Sequence, residues 1–366
     1  MLQIAVEAAP LHAGDLAEST AALARAMAAQ GTPTTVVMLC PPDVDPFRHG
    51  FARRLRRIFI AEKPAEVFEG DLGKGVPAWI VRPSDAPDRA GALAAAAAAT
   101  VEEFHIQFSV AHAHGIEALL ALDEIRRVRP TAVRVATVPD LPAGGVDPAE
   151  AIVLPGGVAT DGVHCIAPGI DDTLWNPAAD PALPARFGPA DPRGKAQCKR
   201  ALQRALGFPP RTDLPLIATL SEPDQDAALR AAADLVGPRA RFASCGPDVS
   251  LRLLLSGADF FVAAAEGNAH LAVLRAMRYG AIPIVPAGGP AASPIVEHEA
   301  RTGSGSGLLY DATDPSSLAE ALLRAGQVQA DADRLHQVRT RIMATDVSWR
   351  RPAGRYLELF TRLASE

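Results

Sequence analysis

The chain of 366 residues carries a net charge of −6, and 48% of its residues are hydrophobic. Its length is ample for two domains, and its acidic balance excludes a general attraction to nucleic acid or to an anionic membrane. No apolar run reaches the roughly 18–20 residues that span a bilayer. The four cysteines are scattered without metal-ligand spacing, so we expect reduced thiols and no metal site.

The N-terminal stretch MLQIAVEAAPLHAG is interpreted as a first strand. It has no charged segment before its short apolar run, so we expect no signal peptide and a cytoplasmic location. From there to residue 166, short apolar strands alternate with amphipathic helices, a pattern typical of parallel α/β layers. The predicted strands lie near 2–7, 34–39, 78–82, 108–112, 132–136 and 162–166, and the predicted helices near 16–29, 91–104 and 116–127.

A connector rich in proline and aspartate follows at 168–192, and it has too many prolines for a regular element. The alternation then restarts. The predicted strands of this second half lie at 215–221, 239–245, 259–265 and 282–285. The predicted helices lie at 193–206, 224–235, 248–256, 291–297, 315–325, 328–343 and 352–364, and a further helix within 264–289 is closed by Tyr279-Gly280.

These patterns predict two doubly wound α/β domains joined by a hinge. The first spans 1–167, the hinge 168–192 and the second 193–347, while 348–366 is a helix that returns to the first domain. Ligands of such sheets bind beyond the carboxyl ends of the strands, so the predicted site is a cleft between the two halves.

The connector and the helix after it, PGIDDTLWNPAADPALPARFGPADPRGKAQCKRALQRALGF (168–208), closely resemble the interdomain segment of bacterial glycogen and starch synthases. The resemblance implies the GT-B fold, with two Rossmann-like domains, and retaining glucosyl transfer. It also implies ADP-glucose or UDP-glucose as donor and an α-glucan or a small sugar as acceptor, with no further cofactor.

Two further segments, SVAHAHGIEALLAL (109–122) and LRAMRYGAIPIVPAGG (274–289), resemble family segments that contact the donor sugar. By this resemblance His114 faces the reacting sugar, although a lone histidine at a strand end is often only structural. The loop Ala287-Gly288-Gly289 would approach the diphosphate with its backbone amides, and the predicted helix near 291 would add its positive end.

Several charged positions depart from the family pattern. The lysine-glycine-glycine loop of the family reads His12-Ala13-Gly14-Asp15 here, which keeps Gly14 but places a carboxylate toward the diphosphate. After the first strand of the second half, the family has an arginine and a lysine that clamp the diphosphate. This chain has SEPDQD at 221–226 instead, and Arg230 either replaces the lost cations or lies on a solvated helix face.

The candidate acid of the second half is also displaced. When the chain is aligned backward from Tyr279-Gly280, the family's glutamate falls on Gly267, and Glu266 lies one residue earlier. One residue of a helix turns a side chain by about 100°, so Glu266 takes the catalytic role only if the loop shifts by one position. The basic run at 48–57 is interpreted as an exposed loop and helix with a solvated face.

Two hypotheses of function remain open from the sequence. One is a glycogen synthase-type glucosyltransferase, whose activity is weakened or lost through these departures, or whose preference for the sugar nucleotide has changed. The other is a non-catalytic binding or scaffolding subunit with a protein partner. A dehydrogenase is disfavoured because no GxGxxG motif follows a strand.

Overall fold

The computed structural model describes residues 1–365 except 6, 12, 87, 142–148, 157–158, 221–225 and 264–268. The chain forms two compact units, of which the first comprises Met1–Asp171 and Ser348–Glu366 and the second comprises Asp172–Val347. The chain thus leaves the first unit inside the proline-rich connector, and the larger part of that connector groups with the second unit. No helix in the described ranges is long and apolar enough to cross a membrane.

The first unit is built on a sheet of ten strands. They are β1 (Leu2–Ala5), β2 (Thr35–Leu39), β3 (Ala52–Arg53), β4 (Ile58–Ile60), β5 (Lys63–Asp71), β6 (Pro77–Pro83), β7 (Val110–His114), β8 (Val133–Thr137), β9 (Ala151–Leu154) and β10 (Val163–Cys165). Their order is β10-β9-β8-β7-β1-β2-β6-β5-β3, with β4 also paired to β5. The strands from β10 to β6 are parallel, whereas β5 runs antiparallel to β6, β3 and β4.

The second unit has a sheet of five parallel strands in the order β12-β11-β13-β14-β15. These strands are β11 (Leu216–Ala218), β12 (Arg241–Ala243), β13 (Phe260–Val262), β14 (Ile282–Pro286) and β15 (Leu308–Tyr310). In each sheet the order reverses direction beside one strand, β1 in the first unit and β11 in the second. Such reversals leave a crevice at the carboxyl ends of the strands, where ligands of open α/β sheets bind.

Ten α-helices connect or cover these strands in the described part of the chain. They are α1 (Asp15–Ala29), α2 (Arg89–Glu103), α3 (Leu119–Val128), α4 (Arg193–Ala205), α5 (Ala227–Val236), α6 (Leu251–Gly257), α7 (His270–Arg278), α8 (Pro315–Ala330), α9 (Ala332–Ala344) and α10 (Arg350–Leu363). The alanine run of α2 buries small side chains against the sheet, which lets helix and sheet approach closely.

The C-terminal helix α10 is part of the core of the first unit. Its Tyr356 and Phe360 pack with Leu23 and Met27 of α1 in one buried cluster. Tyr356 is 1% exposed, and burial of a side chain of this size contributes about 1.5–3 kcal/mol. The hydrophobic face of α10 therefore attaches residues 348–366 to the first unit.

The structure differs from the predicted elements at one helix and at five strands, of which β9 (Ala151–Leu154) and β15 (Leu308–Tyr310) lie where no strand was predicted. The helix predicted near 291–297 is wrong, because only a single 3₁₀ turn forms at Pro290–Ala292. The antiparallel strands β3 to β5 were not predicted, and the basic run at 48–57 lies partly in β3 rather than in an α-helix. Strands β3 and β4 have only two and three residues, too few to show a period, and buried and exposed residues alternate irregularly along β5, so periodicity alone does not reveal them.

The hairpin between β4 and β5 offers a test of local strain. Ala61 and Glu62 form its two-residue loop with φ values of +47° and +65°, which side chains other than glycine and asparagine rarely adopt. We expect the double substitution Ala61→Asn and Glu62→Gly to raise the free energy of unfolding by about 1 kcal/mol. Urea unfolding measures this effect, and an unchanged or lower midpoint would contradict it.

Candidate functional site

The crevice of the first unit lies where β7 and β1 end side by side. His114 is the last residue of β7, pairs in register with Ala5 of β1, and is followed by Gly115. The structure therefore places His114 at the point where the order of the strands reverses. This is the position in which an open α/β sheet presents a side chain to a ligand.

The environment of His114 keeps its imidazole neutral. The side chain is 4% exposed, and burial lowers its pKa from the model-peptide value of 6.5 to about 3. Among the described residues, Nε2 of His114 has no hydrogen-bond partner. At neutral pH this nitrogen can form one hydrogen bond with a ligand, as donor or as acceptor according to the tautomer.

A second histidine supports His114 from the same strand. The rings of His112 and His114 lie with their centroids 4.1 Å apart. His112 is fully buried, and its Nε2 lies 2.7 Å from the hydroxyl oxygen of Thr137, which lies 2.9 Å from the hydroxyl oxygen of Tyr356. The C-terminal helix thus reaches beneath the candidate site, a contact that sequence motifs did not indicate.

The start of α1 lies beside Gly115, the residue that follows His114, because a Cβ added at Gly115 would lie 3.2 Å from the side chain of Leu16. Gly14 precedes α1 with a φ of +114° and is exposed, and an added Cβ would meet no atom within 4 Å. Asp15 and Glu18 occupy the first turn of α1. Their carboxylates lie at the positive end of the helix dipole, where negative charge is favourable. His12, from the same loop, lies outside the described residues.

In the second unit the loop Ala287-Gly288-Gly289 follows β14 at the carboxyl edge. The amide of Ala287 donates to the carbonyl of Tyr310 at 2.8 Å, which fixes the start of the loop. Gly288 has a φ of +82°, and an added Cβ at Gly288 or Gly289 would meet no atom within 4 Å. The backbone of this loop is accessible to a ligand, but the 3₁₀ turn that follows is too short to supply the helix end predicted there.

The same edge of the second unit carries the carboxylate of Asp226. Asp226 begins α5 and accepts a hydrogen bond from the amide of Leu229 at 2.9 Å. Tyr310 donates to the carbonyl of Ala263 at 2.9 Å, and its pKa is raised to about 12, first by burial and then by the charge of Asp226. An anionic ligand at this edge therefore meets negative charge. Arg230 is exposed on α5.

Three acidic candidates lie outside the described residues, namely Glu222, Asp224 and Glu266. The proposed catalytic position of Glu266 thus stays a prediction. Among the described residues no group of three or more His, Cys, Asp and Glu is arranged to hold a metal ion.

The motif residues after the connector serve the packing of the second unit. Lys195 is buried and donates to the carbonyls of Leu255, Ser256 and Tyr279 at 3.2, 3.0 and 2.7 Å. These carbonyls end α6 and α7, where a helix leaves acceptors without partners of its own. Lys195 therefore joins two helix ends.

The connector itself is held by an aromatic and ionic cluster. Trp175 lies between the guanidinium groups of Arg252 and Arg275, at 4.6 and 4.4 Å from its ring centroid. Asp180 accepts from Arg252 at 2.6 Å and from the hydroxyl of Tyr279 at 2.5 Å. The Trp-Asn-Pro motif therefore fastens the connector to α6 and α7 within the second unit.

Three of the five arginines of the basic run at 48–57 form ion pairs with acids of β5 and α2. Arg53 and Arg54 contact Glu66 and Glu69 of β5, and Arg56 contacts Glu103 at the end of α2. The run therefore forms a mixed-charge surface instead of a continuous positive patch, which agrees with the solvated interpretation.

Comparison with known proteins supports this assignment of the fold. The family described as starch synthase catalytic domain matches residues 1–139. A glycogen synthase of Anaeromyxobacter sp. is 30% identical over 304 residues, which is 72% of this chain and 60% of that protein. A glycogen synthase of Bordetella bronchiseptica is 32% identical over 237 residues, 54% of this chain and 46% of that protein. The matches thus span roughly half of these relatives' own length.

Solved structures show the same fold over the whole chain. The catalytic domain of starch synthase IV from Arabidopsis thaliana, bound to ADP and acarbose, superposes with a TM-score of 0.84 at 18% identity and covers 100% of this chain and 99% of its own. Sucrose-phosphate synthase from Thermosynechococcus elongatus gives 0.57 at 15% identity, covering 100% and 99%. The chain is therefore a homologue of the glycogen and starch synthases and belongs to the GT-B glycosyltransferases.

Proposed function

We propose that this chain is a glycogen synthase-type homologue in which glucosyl transfer from ADP-glucose or UDP-glucose to an α-glucan or small sugar is weak or lost. The observation that carries the proposal is the acidic character of both crevices. Asp15 and Glu18 occupy the start of α1, and Asp226 begins α5. The proposal keeps the cytoplasmic location predicted from the sequence.

Transfer from a nucleoside diphosphate sugar requires positive charge where the diphosphate leaves. Without a metal ion, arginine, lysine, backbone amides and helix N-termini must stabilise the developing charge. In this chain the amides of Gly288 and Gly289 remain suited to such a contact. His114 is suited to hold the sugar through one neutral hydrogen bond, in agreement with its burial.

The magnitudes favour weak or absent turnover. A carboxylate within about 4 Å of a phosphate opposes its binding by roughly 1–4 kcal/mol, depending on solvent exposure. Loss of one preorganised contact to the transition state lowers the rate by about 10²–10³-fold. Because acidic groups occur in both units, we expect both weaker binding of the diphosphate and a slower transfer step.

A second candidate is a non-catalytic binding or scaffolding subunit with a protein partner. It is favoured by the contrast between two sets of residues. Lys195, Trp175 and Asp180, which serve packing, match the family pattern, whereas the charged positions that would face the diphosphate do not. Such a contrast is expected where the fold is needed and the reaction is not.

The test is a calorimetric titration of the purified chain with ADP-glucose, UDP-glucose and ADP, followed by a glucosyl transfer assay with a maltooligosaccharide. We expect weak nucleotide binding and little turnover. Removing the charge with Asp15→Asn and Asp226→Asn should tighten ADP binding by up to about tenfold for each substitution. Asp331→Asn is the matched control, since Asp331 also begins a helix, α9, but does not follow a strand end.

The outcomes separate the hypotheses. Efficient turnover that His114→Ala abolishes and the exposed control His336→Ala preserves would contradict both the weak activity and the scaffolding role. Absence of nucleotide binding even in the charge-removed variants would exclude the transferase. In that case a stoichiometric protein that co-purifies with the chain would support the scaffold.

A further inference from the structure

Two hydroxyl groups connect the C-terminal helix to the candidate site of the first unit. The hydroxyl oxygen of Tyr356 on α10 lies 2.9 Å from that of Thr137 at the end of β8, which in turn lies 2.7 Å from Nε2 of His112 on β7. Tyr356 and His112 are 1% and 0% exposed. Within the described ranges, Thr137 is the single hydrogen-bond partner of the Tyr356 hydroxyl. The direction of these hydrogen bonds therefore decides which nitrogen of His112 carries the proton.

Gln3 is the neighbour of His112 on the adjacent strand. The two residues pair in register between β1 and β7, so their side chains lie on the same face of the sheet. Nε2 of Gln3 lies 3.7 Å from Sδ of Met27, a weak acceptor, which assigns the donor end of the amide to that contact. Oε1 of Gln3 and Nδ1 of His112 are both buried, and neither has a hydrogen-bond partner among the described residues. A proton on Nδ1 gives these neighbours one donor and one acceptor, whereas a lone pair there gives two acceptors.

The number of available donors favours one direction of the hydrogen bonds. If Tyr356 donates to Thr137 and Thr137 donates to Nε2 of His112, both hydroxyl protons have an acceptor. The ring proton is then on Nδ1, with the acceptor of Gln3 on the neighbouring strand. In the opposite direction Nε2–H donates to Thr137 and Thr137 donates to Tyr356. The Tyr356 proton then has no acceptor in the described part of the chain, and burial of a donor without an acceptor is costly.

The ring of His112 in turn supports the ring of His114. The centroids of these two rings are 4.1 Å apart, and those of Tyr356 and Phe360 lie 5.2 and 5.5 Å from the ring of His112. His112 is thus enclosed by rings from β7 and α10, and its hydrogen bond to Thr137 fixes the rotation of the imidazole. A rotation of this imidazole would displace His114, because buried side chains are close-packed.

We propose that Tyr356 is a positioning residue for the candidate site. Its hydroxyl donates to Thr137, Thr137 donates to Nε2 of His112, and His112, with its proton on Nδ1, holds the ring of His114 in place. The C-terminal helix, which follows the whole second unit along the chain, is therefore part of the site in the first unit. Binding of a donor sugar at His114 rests on the proposed function, whereas the position of the proton on His112 does not.

The experiment is nuclear magnetic resonance of the full chain at neutral pH, free of ligand, with its nine histidines labelled with ¹⁵N. Long-range ¹H–¹⁵N spectra separate protonated from unprotonated ring nitrogens, and comparison with His112→Asn and His114→Asn assigns the signals. We expect the proton of His112 on Nδ1 and an acceptor at Nε2. Because no nucleotide is present, this result does not depend on whether the chain binds ADP-glucose or transfers glucose.

Tyr356→Phe removes the hydroxyl and keeps the ring. The ratio of the Nδ1–H form to the Nε2–H form of His112 should then fall by about fivefold or more, because the direction of the Thr137 hydroxyl is no longer fixed. The ring signals of His114 should move as well. Thr137→Val should have the same effects, whereas Thr137→Ser, which keeps a hydroxyl, should retain the form found in the parent chain. Circular dichroism verifies that each variant folds.

Tyr279→Phe is the matched control, because Tyr279 is also fully buried and donates its hydroxyl to Asp180 at 2.5 Å, but within the second unit. This variant should leave the ring signals of both histidines unchanged. A proton on Nε2 of His112 in the parent chain would overturn the proposal. An unchanged ratio of the two forms in Tyr356→Phe, or an equal change in Thr137→Ser and Thr137→Val, would overturn it too.

Discussion

Replacing Asp259 with alanine is expected to lower the free energy of unfolding by about 3–5 kcal/mol. Asp259 is buried between the two cations of the second unit that it pairs with. Its Oδ2 accepts from Lys199 Nζ at 2.5 Å and from the amide of Leu216 at 2.9 Å, and its Oδ1 pairs with Arg339. Removal of the carboxylate leaves the buried Lys199 and the partly buried Arg339 without their counter-charge, which is the costly case for an ion pair.

The pKa of Asp259 reflects the same ion pairs with Lys199 and Arg339. Burial by itself would raise this pKa, but the charges of Arg339 and Lys199 outweigh it and lower the pKa below its usual value. The carboxylate therefore stays ionised in the folded chain, and its network is stabilising at neutral pH.

The matched control is Asp213→Ala. Asp213 also pairs with an arginine, Arg211, at 2.5 Å, but both side chains are more than half exposed. Exposed pairs contribute about 0–1 kcal/mol, so this variant should unfold almost like the parent. Urea unfolding followed by circular dichroism compares the two variants. Equal losses would show that the buried network does not stabilise the second unit.

Mild acid is expected to destabilise the first unit through its two buried histidines. Burial holds the pKa of His114 at about 3. Burial, and secondarily the repulsion that a protonated His114 would exert, holds the pKa of His112 well below 6.5. The unfolded chain takes up protons near pH 6.5, whereas the folded chain does not. Stability is therefore fully present above pH 6.5 and falls as the pH decreases, by about 1.4 kcal/mol per pH unit for each histidine.

Hydrogen exchange of peptides from β7, measured from pH 7 to pH 5, reports this loss of stability for the first unit separately from the second. Corrected for the intrinsic pH dependence of exchange, the free energy of opening should fall by about 2 kcal/mol for each histidine at pH 5. In the variant His114→Asn the free energy of opening should depend less steeply on pH, whatever the effect of the substitution on stability at pH 7. The exposed His336→Gln should leave it unchanged, and an equally steep dependence in His114→Asn would contradict the assignment.

Parts of the fold were accessible from local pattern. The short, largely apolar segments of β1 and β7, which alternate with helical patterns along the chain, indicated buried parallel strands. Short edge strands were not recognised, since β3 and β4 alternate too briefly to show a period. The helix predicted after Gly289 was wrong because Pro290 and Ala292 enter a single 3₁₀ turn that does not propagate.

The features of the candidate site were likewise only partly predictable from the sequence. The motif around His114 and the Gly288-Gly289 turn were visible in the sequence, and so was the acidic replacement at Asp15, because residue type and spacing carry that information. The protonation state of His114 was not visible in the sequence, since it depends on burial by side chains distant in the chain. The catalytic position of Glu266 stays a prediction.

Ancestry and the loss of positive charge were readable from the order of residues alone, because both depend on which residue types occur at which spacing. Only the tertiary structure showed that Lys195 and Lys199 of the family motif hold helix ends and a buried carboxylate within the second unit. It alone also joined His112, Thr137 and Tyr356 by hydrogen bonds beneath the candidate site. Such contacts join residues tens of positions apart, and long-range packing decides them.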